Sequence, residues 1–307
     1  MDDSRHPSRL ARYSRDMWML VRDSVMGWME HNASRTGAAL AFYTVFSLAP
    51  ILLLSIAIAG LFFGQQAARG EIFEQISDLI GPAGAMAVES VIHNASKSDA
   101  GTLTTVFSVL TLIIGATTAL VELKAGLDMI WDVPPERQQG FWYFVRTRLL
   151  SVGVILALAF LLLVSLVISA GLAALEKLSS GDHFFNLVLQ WLNQLFSFLL
   201  VAALFGTLYK VLPSARVAWR DVIVGALVTA ALFSIGKYAI GVYVGNSGLA
   251  STYGAAGSII LLLVWVYYSA QIFLFGAEFT CTYARRFGSL RGQEQARMAA
   301  GQHPAAT

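Results

Sequence analysis

A chain of 307 residues that is 56% hydrophobic and only 13% charged has too little polar surface to cover a globule in water, which excludes an ordinary soluble domain. Its net charge of +2 is too small to argue for nucleic acid, so the placement of charge matters more than its sum. The lone cysteine, Cys281, excludes an internal disulfide and any multi-cysteine metal site.

Residues 1–9 are expected to form a disordered tail. From about Leu10 to Glu30, Tyr13, Met17, Leu20, Val21, Val25 and Trp28 recur at helical spacing with charged residues between them, which predicts an amphipathic helix. Two placements suit it: lying in the membrane interface, or packed as a solvated helix on the cytoplasmic ends of a bundle. The polar N-terminus does not read as a cleaved signal peptide, so targeting would rest on the membrane spans themselves.

Residues 37–64 carry no charge over 28 positions, more than the roughly 20 residues that an α-helix needs to cross a bilayer. Backbone groups in hydrocarbon must pair within their own segment, so this is the first span, with a kink expected at Pro50. Gln65–Ala100 is a polar connection, with an apolar face from Ile72 to Ile80, a break at Gly81-Pro82, and a second short helix over Ala83–His93.

Span two covers about 101–121 and carries seven hydroxyl side chains, Thr111 and Thr118 among them. It runs into Glu122, Lys124 and Asp128, then stops at Trp131-Asp132-Val133-Pro134-Pro135. Further spans follow at about 149–175, 184–212, 222–244 and 255–283, with a disordered cytoplasmic tail at 285–307. The fold class is therefore all-α: a single six-helix membrane domain over 10–284. Six spans put both termini on one side. Seventeen Lys and Arg lie on that side against three on the other, which predicts cytoplasmic termini.

Among candidate site residues, Lys237 is an ionisable group inside a span, about 10 Å of helix from Val244. Such groups face a bundle interior or water, or snorkel to the interface. The spans offer no acidic residue at its depth, so it is expected to meet an anion, a carbonyl cluster or water. Gln271 lies near the middle of the last span and Glu278 two turns further on the same face. Lys237, Gln271, Thr111 and Thr118 are the candidate substrate contacts. Glu122, Lys124, Asp128 and Glu278 are candidates for a cytoplasmic gate or headgroup contact. Lys124 and Asp128, four apart, are expected to pair on the helix surface. GxxxG pairs at Gly60–Gly64 and Gly241–Gly245 permit a homo-oligomer as well as intrachain packing. No catalytic motif occurs, and the five histidines show no metal-ligand spacing, so no enzyme activity, metal or cofactor is expected.

Four separated blocks resemble the YihY/BrkB inner-membrane family: GAALAFYTVFSLAPILLLSIAIAG at 37–60, LIIGATTALVELKAGLDMIWDVP at 112–134, LYKVLPSARVAWRDVIVGALVTA at 208–230, and YGAAGSIILLLVWVYYSAQIFLFGAEFT at 253–280. The resemblance implies a six-helix protein of the bacterial inner membrane. Family members have carried a ribonuclease BN label, but nothing in this chain could hold catalytic metal or engage RNA. Envelope lipid handling, also discussed for the family, suits a helical bundle with an intramembrane cation. The expected partners are membrane lipids and no nucleic acid. The leading expectation is a transporter-like protein for a lipid or other anionic amphiphile. The alternative is a non-transporting scaffold that docks a periplasmic envelope protein through 65–100.

Overall fold

The computed structural model describes residues 9–45, 64–96, 118–134, 183–247 and 255–292, with isolated helical positions at 56, 60, 149, 153, 157, 160, 161, 164, 168 and 171. Pro50, Thr111 and most of the first three expected spans lie outside these residues. All regular structure among the described residues is helical. The elements are α1 (Arg9–Glu30), α2 (33–45), α3 (Gln65–Ser96), α4 (118–130), α5 (His183–Val211), α6 (Trp219–Ser247) and α7 (Ala255–Arg286).

Three of these are long and apolar enough to cross a membrane, over Leu187–Val211, Trp219–Val242 and Ile259–Arg286. Stretches rich in Leu, Val, Ile, Ala and Phe form them because the helix satisfies its own backbone. The three pack in sequence as antiparallel neighbours. Gly206 faces Ala226 and Gly225 faces Thr280. Phe233 stacks edge-on against Phe205 and Trp265, at ring separations of 5.5 and 5.8 Å. Small residues let these backbones approach: a Cβ added at Gly225 would lie 2.7 Å from that of Thr280. Gly241, by contrast, faces open space, so the close α6–α7 packing uses Gly225, Gly236 and Gly276 rather than the GxxxG position read from the sequence.

The connection between the first two spans differs from its expected form. A single helix, α3, runs through Gly81-Pro82, with no break and no second helix. It packs against α6 and α7. Ile76 joins a small core of Val45, Val88, Leu261 and Leu262. That side chain is turned to the bundle.

α1 and α2 track α7 in descending register. Asp23 bonds Arg286, Gly27 and His31 flank Glu278, and the Ser34 carbonyl accepts from Gln271 Nε2 at 3.4 Å. α1 is thus clamped to the end of α7 through Arg286, which bonds Asp23 and Met19, and its Leu20 and Ser24 are buried. Its junction with α2 falls at Asn32, whose φ of 49° is left-handed, a conformation that Asn tolerates better than most residues. α7 extends to Arg286, and residues 287–292 fold back so that Ser289 meets Asp221. The ordered chain therefore passes the expected boundary at 285.

Candidate functional site

Polar side chains gather where the α1–α2 turn, the end of α4, the α5–α6 loop and the end of α7 meet. Asp128 is fully buried and accepts three bonds: from Lys124 Nζ at 2.6 Å, from the Ser214 backbone N–H at 2.6 Å and from Ser214 Oγ at 3.1 Å. Lys124 Nζ also reaches Ser214 Oγ at 2.5 Å. The i, i+4 pair read from the sequence forms, but in the interior rather than on the helix surface. Helix α4 lies with this face against the loop at 212–215. Glu122, two residues away, is half-buried.

A second group surrounds Glu278, which is 3% exposed. His31 Nδ1 donates to its Oε1 at 2.5 Å. His31 Nε2 lies 3.9 Å from Asp132, which Arg285 Nη2 bonds at 2.8 Å. Asp132 reaches the group because it closes α4 with a left-handed φ of 49°. The hydrogen bond to Glu278 holds the His31 imidazole above its usual range, against the opposing effect of burial, with the charges of Glu278 and Asp132 adding to the rise. A third contact, Lys210 Nζ to the Val217 carbonyl with the ammonium 5.4 Å from the Trp219 ring, closes the α5–α6 loop. Together these contacts form an ionic hub in which opposite charges meet inside the chain.

Deeper in the bundle, Tyr209 Oη donates to the Phe273 carbonyl at 2.8 Å and lies 3.0 Å from Thr229 Oγ1. Phe205, Tyr209, Phe233, Phe273 and Trp265 make a continuous aromatic layer at this level. Gln271 is half-buried and its Oε1 has no hydrogen-bond partner, while its Nε2 turns to α2. Thr118, at the start of described α4, is half-buried.

Lys237 is half-buried on α6, one turn beyond Phe233, and is engaged in an interaction within the chain, so it is not the bare ammonium that the sequence suggests. Its helix positions it on the inward stripe Val222, Ala226, Ala230, Phe233 and not on the exposed stripe of Ile235, Tyr238 and Val242.

The structure brings Lys124 and Asp128 together, and sets Glu278 apart from them in its own group. Gln271 and Lys237 lie on the neighbouring helices α7 and α6, about one turn apart in the register that the Gly225–Thr280 and Gly236–Tyr268 contacts set. Sequence reasoning missed His31, Ser214, Asp132, Arg285 and Tyr209. The left-handed Asp132 was signalled by the WDVPP stop, but its partners carry no local mark. Among the described residues, no group of three or more His, Cys, Asp and Glu could hold a metal ion.

A family model for virulence factor BrkB matches residues 25–301. A UPF0761 membrane protein of Cronobacter sakazakii is 33% identical over 196 residues, covering 64% of this chain and 63% of the relative. One from Vibrio vulnificus is 27% identical over 268 residues, covering 84% and 80%. One from Rhodospirillum centenum is 29% identical over 265 residues, covering 86% and 57%. The match thus spans somewhat less than two thirds of the length of the enterobacterial relative. No solved structure matches.

Proposed function

The chain belongs to the virulence factor BrkB family of membrane proteins, and from that premise we propose that it handles a lipid or another anionic amphiphile of the cell envelope without catalysing a covalent reaction. In this reading it spans the bacterial inner membrane six times with cytoplasmic termini. The ionic hub then sits at the cytoplasmic face, with α1 against the interface.

One observation carries the reading. Lys237 lies on the inward stripe of a membrane-length helix, above the aromatic layer, while the lipid-side positions of the same helix are Ile235, Tyr238 and Val242. A cation inside a span costs at least about 2.5–3.5 kcal/mol at the bilayer centre, and an inward position lets that cost be offset by a negatively charged guest.

The test uses full-length protein in phosphatidylcholine vesicles that carry a trace of fluorescent phosphatidylglycerol or fluorescent phosphatidylcholine. Wild type should speed transbilayer exchange of the anionic probe over the zwitterionic one. Lys237→Met should remove that preference with equal protein incorporated, and Lys237→Arg should keep it. Equal exchange with and without protein, or an unchanged preference in Lys237→Met, overturns the proposal.

A further inference from the structure

The group around His31 joins the outside of the bundle to its interior. Side-chain exposure falls from 52% at Asp132 through 24% at His31 to 4% at Glu278. The imidazole stands between the two carboxylates, with Nε2 3.9 Å from Asp132 Oδ1 and Nδ1 2.5 Å from Glu278 Oε1. Each ring nitrogen therefore addresses a different acid, one near the surface and one inside. The other oxygen of Glu278 lies against Gly27, where an added Cβ would come within 2.7 Å of Oε2.

The two buried acids at this end of the bundle are provided for differently. Asp128 accepts three bonds, one of them from a lysine, which suit a carboxylate that stays charged. Glu278 accepts one among the described residues, and its donor is a side chain that titrates near neutrality. A carboxylate so placed in a membrane-length helix is a costly anion. Moving the Nδ1 proton onto Oε1 replaces the ion pair by a neutral pair that keeps its hydrogen bond. Lys or Arg would serve a permanent bridge as well as His does. Imidazole differs from both because it accepts a proton at one nitrogen while releasing one from the other.

We infer that His31 and Glu278 form a proton-loading site, filled from the end of the bundle where α7 finishes. In the unloaded pair Nδ1–H donates to the Glu278 carboxylate and Nε2 is bare. A proton from water binds Nε2, drawn by the charge of Asp132, which Arg285 holds at 2.8 Å. The Nδ1 proton then passes to Oε1, leaving a neutral imidazole and a neutral carboxyl. One proton has entered from solvent and one charge has gone from the span. Glu278 ends the relay, since α7 carries no charged residue between Ala255 and this position.

The charged groups that act on His31 are Glu278 and Arg285 of α7 and Asp132 in the turn after α4. Asp23 and Arg286 bond each other further out, Lys124 and Asp128 turn to Ser214, and Glu30 and Arg35 are exposed. That loading drives the movement of a lipid rests on the amphiphile reading above; the site itself does not.

Dicyclohexylcarbodiimide, which enters from lipid and reacts with a carboxyl in its protonated form, tests this on the full wild-type chain in phosphatidylcholine vesicles. Peptide mapping by mass spectrometry locates the adduct. Labelling at 278 should rise on acidification from about pH 9 to about pH 6, by up to about tenfold per pH unit while the loaded fraction is small. Asp128 should stay unlabelled throughout. The infrared carbonyl stretch of a protonated carboxyl, lost in Glu278→Gln, reads the same proton without a reagent. No adduct and no such band across that range, or labelling that ignores pH, overturns the site. With vesicle orientation fixed by a C-terminal tag, labelling should follow the pH on the side that bears the tag. His31→Gln, which keeps a donor to Glu278 but relays no proton, should lose that sidedness. A wild-type response to the opposite side overturns the relay, as does a sided response that survives in His31→Gln. Lipid exchange is read separately, so exchange that is absent or indifferent to pH counts against the amphiphile reading and not against the loading site.

Discussion

Asp128 is the residue on which the ionic hub should depend most. The side chains of Lys124 and Asp128 are 5% and 0% exposed, so bulk water screens neither charge. Asp128→Ala takes a carboxylate at 2.6 Å from the Lys124 ammonium and deprives the Ser214 backbone N–H of its acceptor. Breaking one partner of a buried pair costs about 3–5 kcal/mol. Ser214 is itself exposed, so water can meet its freed N–H and that loss adds little. The expected loss is therefore on the order of 4 kcal/mol. Lys124→Met alone should lose a comparable amount, because Asp128 would then be buried without its cation. The double variant Lys124→Met/Asp128→Leu should recover most of it, since a well-packed apolar pair can replace a buried ion pair at little cost. Equilibrium unfolding in mixed SDS–detergent micelles would measure all three. Losses below about 1 kcal/mol, or strictly additive ones, would refute the claim that these charges are held away from water.

Other predictions probe the surrounding contacts. His31 is raised in the folded chain, so its contribution is complete below the ordinary value of 6.5 and is lost as pH rises through the folded value. The protection factors of α1 amides, with the intrinsic pH dependence of exchange divided out, should fall across that alkaline window and not on acidification, and His31→Gln should flatten them; pH-independent protection in wild type would contradict the clamp. Tyr209→Phe should cost about 1–2 kcal/mol through the bonds to the Phe273 carbonyl and Thr229, and a variant as stable as wild type would show that neither bond matters. Gly225→Ala places a methyl 2.7 Å from Thr280 Cβ and should cost about 1–3 kcal/mol, whereas Gly241→Ala meets open space and should be near neutral. Equal losses at the two glycines would argue against the observed α6–α7 register.

The three described spans were legible because their signal is local. The expected bounds 184–212, 222–244 and 255–283 sit within a few residues of α5, α6 and α7. Predominantly apolar runs of that length leave the backbone few alternatives. The region 65–100 was misread because Gly81-Pro82 looks like a breaker, yet packing against α6 and α7 holds a single helix through it. Tertiary contact outweighed local propensity there. The hub was only partly visible. Lys124 and Asp128 are four residues apart and could be paired on paper, but Ser214 lies 86 residues from Asp128. His31 has no motif around it to mark Glu278 as its partner.

The clamp between the two ends of the chain also has a consequence for biogenesis. His31 and Glu278 are 247 residues apart, and Asp23 and Arg286 are 263 apart. At ribosomal speeds of roughly 5–20 residues per second, the earliest helix waits on the order of tens of seconds before its mate is translated. During that interval the nascent N-terminus must be kept from wrong associations by the insertion machinery or by the lipid surface. A transcript cut short before the final span would yield a product whose opening segment never finds its lock, giving the cell's membrane proteases a simple mark of incompleteness.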